Sequence, residues 1–183
     1  NTGGNHDIEI FGGEINGNAS NQTGIGTTNY HGIQYVNVTR GSVHDVFATN
    51  TTGYGIGASG NCDTIDFSHN VATLNYNAGI MINNSVTNFS VESNESYNNP
   101  GNGTDDGDGI EIRARSSNGR VMGNIVHDNN EDGIEIIDNC SSLMVVGNTS
   151  ADEGEIGIRL NGVTNSIVSG NRFSTGTRMS HLQ

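Results

Sequence analysis

The sequence predicts an all-β chain folded as a right-handed, single-stranded parallel β-helix, a solenoid of about seven coils of ~24 residues with an Asn ladder inside it. Two registers running in step carry this expectation. Gly-Ile recurs at Gly32, Gly55, Gly79, Gly109, Gly133 and Gly157, with spacings of 23, 24, 30, 24 and 24 residues. Asn70, Asn94, Asn124, Asn148 and Asn171 follow the last five of these at offsets of 15, 15, 15, 15 and 14 residues. A fixed period in this range marks stacked repeats, each of which buries its apolar face only against its neighbours.

Each element of a coil follows from local pattern. GIMIN, GIEIR, GIEII and GIRLN, starting at Gly79, Gly109, Gly133 and Gly157, alternate with the two-residue period of a strand that has one buried face. About ten residues later comes a second short strand, at Ile65–Phe67, Phe89–Val91, Val121, Leu143–Val145 and Ile167–Val168. Gly, Asn, Asp and Ser fill the connections, where left-handed and turn conformations are needed. An inward Asn repeated at one rung spacing, ~4.8 Å, can bond the Asn above and below it and satisfy polar groups that a turn leaves unpaired. The 27 glycines oppose any long helix.

Composition narrows the partners. The 183 residues suffice for one domain, 1–183, which is expected to be a processed mature protein or a piece of a longer one. Formal charge is −13 and there is no Lys, so nucleic acid and anionic membrane surfaces are poor partners, and with no transmembrane segment in the sequence no membrane insertion is expected. Ten Asn-x-Ser/Thr sequons agree with an extracellular or cell-surface location, although Asn94 and Asn148, being on the ladder, should carry no glycan. Cys62 and Cys140 share a register, seven residues after Gly55 and Gly133. Three coils separate them, roughly 14 Å, which is too far for a disulfide. Both are therefore expected to be free and buried.

Register also makes the outer columns readable. Two residues after each Gly stand Gln34, Gly57, Met81, Glu111, Glu135 and Arg159; two further on stand Val36, Ser59, Asn83, Arg113, Ile137 and Asn161. Glu111 against Glu135 is a like-charge pair that needs compensation, from Arg113 and Arg159 or from a hard cation. Twelve of the 20 acidic residues fall between Asp105 and Glu155. The six-residue insertion in Asn98–Asp108 brings Asp105, Asp106 and Asp108 toward the corner that carries Asp132. Asp105, Asp106, Asp108, Glu111, Asp132 and Glu135 are the candidate metal ligands, with Ca²⁺ as the cation. The plain alternative is a solvated acidic edge.

The Gly-Ile and Asn-turn coils resemble those of the pectate-lyase-like superfamily of parallel β-helices. Within it, NHDIEIFGGEINGN, HGIQYVNVTRGSVHDV and GYGIGASGNCDTIDF are similar in order to the catalytic module of mannuronan C5-epimerases. The resemblance implies a polysaccharide partner, a uronan or other glycan, lying along the outer strand face. It also implies that Ca²⁺ neutralises the substrate carboxylate while an Arg removes the C5 proton. Arg113, Arg159 and Tyr54 are then the catalytic candidates, and Glu111, Glu135, Asn83, Asn161 and His31 the substrate-binding ones. Where the epimerase motif reads Tyr-Gly-Phe-Asp-Pro-His, this chain has Tyr54, Gly55, Ile56, Gly57, Ala58 and Ser59, so only the Tyr and its Gly remain. Three functions stay open: a glycan-binding β-helix related to lyases and epimerases, a structural surface module that self-associates through its terminal coils, or an active Ca²⁺-dependent lyase or epimerase.

Overall fold

Three parallel sheets of seven strands each form the walls of the solenoid in a computed structural model that describes residues 4–22, 30–102, 107–174 and, for the backbone, 178–179. The first sheet holds Asn5–Phe11, Val38–His44, Asp63–Ser68, Thr87–Glu92, Ser117–Met122, Ser141–Val146 and Ile167–Ser169. The second holds the short strands Glu14–Asn16, Phe47–Thr49, Val71–Thr73, Glu95–Tyr97, Ile125–His127, Thr149–Ala151 and Arg172–Phe173. The third is built on the Gly-Ile repeats: Ile33–Val36, Ile56–Ser59, Ala78–Asn83, Asp108–Ile112, Ile134–Ile136, Ile156–Leu160 and Arg178–Met179. Each strand pairs with the equivalent strand one coil away. The only helix among the described residues is the 3-10 turn Ala19–Asn21.

The Ile of each Gly-Ile stacks on the next, Ile33 on Ile56, then Ile80, Ile110, Ile134 and Ile158, all buried. Ile82, Ile112, Ile136 and Leu160 form a second inner column on the same sheet. The Gly is required by close approach: a Cβ at Gly109 would lie 2.5 Å from the Gly133 carbonyl oxygen and 2.9 Å from Val126 Cγ1. The predicted second strand is the first sheet, whose inward residues Ile65, Phe67, Phe89, Val91, Leu143 and Val145 complete the core. Cys62 and Cys140 are free and buried.

The Asn ladder forms at the corner between the first and second sheets. Each corner turns on one residue in the left-handed region: His69 (φ 56°), Ser93 (56°), Gly123 (63°), Gly147 (68°) and Gly170 (64°). The Asn that follows points inward. Oδ1 of Asn94 accepts from Asn70 N–H at 2.9 Å and from Asn70 Nδ2 at 3.0 Å, and the pattern repeats through Asn124, Asn148 and Asn171. Nδ2 of Asn70, Asn94, Asn124 and Asn148 also donates to the carbonyls of Val43, Phe67, Val91 and Val121. A left-handed non-Gly residue costs about 1–2 kcal/mol, which bonds in this water-free corner can offset.

A second ladder lies five residues on, at the corner between the second and third sheets. Thr51 N–H donates to Asn75, Asn75 to Asn99, Asn99 to Asn129, and Asn129 to Glu153 Oε2 at 3.0 Å. Glu153 therefore does not belong to an acidic surface edge. It is buried inside the column, its Oε1 accepting from Ser150 Oγ, and burial pushes its carboxyl up to about 7.

Two outcomes follow from these ladders. Asn124→Ala strands the Asn94 N–H, the Asn94 Nδ2 and the Val91 carbonyl at once. It should lower unfolding free energy by roughly 3 kcal/mol in urea titration, against a smaller loss for the half-buried Asn171→Ala. For Glu153, the unfolded carboxyl ionises near 4.5 while the folded one keeps its proton to about 7. Stability should therefore fall as pH rises through that window, by on the order of 3 kcal/mol, and then level off. Glu153→Gln should flatten the slope by this share in urea titrations run from pH 4 to 8, leaving the part that the raised carboxyls of Asp132 and Glu135 contribute.

Candidate functional site

The outer columns of the Gly-Ile sheet align as their register predicts. Strand pairing places Gln34 beside Gly57, then Met81, Glu111, Glu135 and Arg159. Val36, Ser59 and Asn83 pair in the same way, and the column continues to Arg113, Ile137 and Asn161 through their N–H bonds to Ile82, Ile112 and Ile136. A third column was not apparent from the repeat alone. It consists of the residue before each Gly: His31, Tyr54, Ala78, Asp108, Asp132 and Ile156. The signal was present in the sequence as the position preceding every Gly-Ile, but its side chains differ too much in type to read as a series.

Gly109 and Ile110 both face the interior, and this bend brings Asp108 and Glu111 to the same outer side. Carboxylate oxygens of Asp108, Glu111 and Glu135 lie within 4.8 Å of one another. Asp108 is 3% exposed and Glu111 4%, with Glu135 half-buried. Asp108 Oδ1 accepts from Asp132 N–H, and Asp132 Oδ1 from Ile156 N–H, each at 3.0 Å.

Two arginines flank this centre. Arg113 Nη1 donates to Glu111 Oε1 at 2.6 Å, and its Nη2 reaches Asp138 Oδ2 at 3.4 Å. Arg159 Nε is 2.5 Å from Asp132 Oδ2 and 3.8 Å from Glu135 Oε1, while Nη2 donates to Glu155 Oε2 at 2.6 Å. Glu111 and Asp132 thus each have a guanidinium. Asp108 and Glu135 have no cation as close. Asp138 and Glu155, the outer partners of the arginines, were not among the expected site residues.

Burial, then the charges of Glu135, Glu111 and Asp132, push the Asp108 carboxyl well above the usual range. Burial, then repulsion from Glu111 and Asp132, pushes Glu135 up to about 7 despite Arg159 and Arg113. Asp132 is pushed up to about 6 by burial, with Arg159 holding it back. Fully ionised, the four carboxylates exceed the two guanidiniums by two charges, and by four when Asp138 and Glu155, which share those guanidiniums, are included. The donor set fits Ca²⁺: hard carboxylate oxygens, close together, with Asp108 almost wholly buried and Glu135 tied only by a long ion pair.

Tyr54 stands beside this centre. Its ring stacks on His31 with centroids 4.6 Å apart and planes 6° from parallel, and its Cδ2 lies against Gly57. It is near enough to Arg113 for a phenolate there to favour the charged guanidinium. Asn83 is half-buried and neighbours Arg113 in its column, whereas Asn161 is exposed two coils further on. The structure therefore gathers Asp108, Glu111, Asp132, Glu135, Arg113 and Arg159, with Tyr54 and His31 to one side. Asp105 and Asp106 lie outside the described residues.

No protein-family model matches the sequence, and no curated protein is similar to it in sequence. Solved structures are similar in fold. The periplasmic alginate epimerase AlgG superposes with a TM-score of 0.74 at 16% identity, over 92% of this chain and 40% of the epimerase. Pectate lyase Pel9A superposes with a TM-score of 0.66 at 20% identity, over 77% of this chain and 39% of the lyase. The fold is a pectate-lyase-like parallel β-helix. At these identities the likeness is one of fold, and this β-helix spans about two-fifths of the length of either protein.

Ca²⁺ titration tests the centre directly. Affinity should rise with pH through about 7, because a cation must displace the proton held on Glu135. Calorimetry in buffers of different ionisation enthalpy should show proton release at pH 6.5. Glu111→Gln or Glu135→Gln should weaken Ca²⁺ binding at least about tenfold.

Proposed function

We propose that this β-helix engages an acidic polysaccharide, a uronan, along the outer face of the Gly-Ile sheet, in a Ca²⁺-dependent manner and outside the cytoplasm. The observation that carries the reading is the carboxylate centre, which carries more negative charge than the two arginines flanking it can neutralise. An acidic surface repels a polyanion unless a cation intervenes, so the same centre accounts for both metal dependence and substrate charge. The epimerase and lyase among the structural neighbours support a glycan partner.

Asp108, Glu111 and Glu135, with Asp132 behind them, would hold the cation. Bound there, Ca²⁺ would neutralise a uronate carboxylate and make the adjacent C5–H more acidic. Arg113 and Arg159 act as fixed charges that orient the sugar carboxylate. Burial works against their ionisation, but Glu111 and Asp132 outweigh it and keep both protonated. Proton transfer at C5 falls instead to Tyr54, the one other side chain of this group with a titratable hydroxyl. The electron pair released at C5 either expels the O4 substituent, leaving an unsaturated uronate, or recovers a proton from the opposite face. Inverting hydrolysis fits poorly, since it needs carboxyls roughly 6.5–9.5 Å apart, and those of Asp108, Glu111 and Glu135 approach within 4.8 Å.

A second reading, a stiff self-associating surface module, is favoured by ladders that run from coil to coil. Incubation with a panel of uronans, with Ca²⁺ and with chelator, separates the two. Ca²⁺-dependent binding is expected, and Arg159→Ala should weaken it about tenfold. Unsaturated product read by ultraviolet absorbance would establish a lyase, and inversion at C5 read by NMR an epimerase. Absence of binding in every arm would move the assignment to the structural module.

A further inference from the structure

The residue beneath Tyr54 has a geometry that plain packing does not require. His31 Nδ1 accepts the Tyr54 backbone N–H at 3.0 Å, and the two rings lie face to face. An Nδ1 that accepts carries no proton, so the neutral ring must be protonated on Nε2. Burial lowers the imidazole pKa, which keeps this uncharged form at neutral pH. The chain leaves room for the ring: a Cβ at Gly53 would come 2.5 Å from His31 Nδ1 and 3.2 Å from the Tyr30 carbonyl oxygen. A Cβ built at Gly57 would lie 3.8 Å from Tyr54 Cδ2, so the Tyr54 ring reaches over the outward position of the strand that follows it.

We propose that His31 is a positioning residue that, as a neutral imidazole, fixes Tyr54 and thereby sets the place of its phenol in the outer column that continues to Asp108 and Asp132. The inference rests on the uronan reading only for its effect on ligand. The hold on Tyr54 is a property of the free protein. The backbone bond fixes where the Tyr54 strand begins, and the ring stack fixes the plane of the phenol. Neither His31 nor Gly53 touches the reacting atoms, and their influence passes through Tyr54.

The test uses labelled protein and four variants. Imidazole nitrogen shifts at pH 7 should show His31 unprotonated at Nδ1 and protonated at Nε2; an imidazolium or the opposite tautomer would overturn the proposal. His31→Asn keeps an acceptor near the Nδ1 position, whereas His31→Phe keeps a ring and loses the acceptor. The Tyr54 backbone amide resonance should stay near wild type in H31N and shift in H31F, whereas the Tyr54 ring resonances, assigned with Tyr54→Phe, should shift in H31N, which loses the stacked ring. Gly53→Ala, which pushes the imidazole away, should reproduce the H31F shift. Uronan affinity should fall about tenfold in G53A, in which both the backbone bond and the ring stack are lost. Unmoved Tyr54 resonances in H31F and G53A would sink the idea. Wild-type protein that binds no uronan would instead count against the proposed function, while the Tyr54 resonances would still decide the role of His31.

Discussion

Parallel pairing at one rung spacing places each residue directly against its counterpart in the next coil, and every polar feature of this protein is a response to that juxtaposition. The recurring device is a side-chain acceptor on one coil bonded to the backbone N–H of the equivalent position on a neighbouring coil. Asn does this in two corners, His31 does it for Tyr54, and Asp108 does it for Asp132. What differs is whether the side chain can also donate. An amide accepts with one atom and donates with the other, so an Asn column extends without accumulating charge.

A carboxylate in the same place only accepts, and a column of carboxylates accumulates charge. That is the origin of the candidate site. Asp108 and Asp132 stand in one column and Glu111 and Glu135 in the next, on adjacent coils. The fold cannot separate them, since moving one would break the strand pairing of its whole coil. Arg113 and Arg159 relieve part of the repulsion, and retention of protons by Asp108 and Glu135 relieves more of it. Glu153 meets the same problem alone. Buried at the end of an Asn column, it keeps its proton instead of finding a counter-ion.

Much of the architecture was legible because the stacking period is written into residue type. Gly-Ile fixed the third sheet and its outer columns, and the Asn series fixed one corner. The second ladder was equally periodic, five residues beyond each Asn of the first. It begins with Thr51 and ends with Glu153, and that change of residue type hid the column. The cysteines were legible for the opposite reason, since a shared register in distant coils excludes a bridge by distance alone.

The sequence by itself determined the fold, the coil boundaries and which acidic and basic residues share a strand face. Only the tertiary structure decided that Asp108 joins Glu111 and Glu135. Those first two residues are three apart, and in a regular strand they would point to opposite faces. At Gly109 an added side chain would meet Val126 and Asn129 of the interior, Ile110 is buried as well, and the carboxylates of Asp108 and Glu111 meet on the other side. Likewise, nothing in residue spacing places Tyr54 against Gly57 or His31 beneath it. Those contacts depend on side-chain direction across coils, which periodicity does not encode.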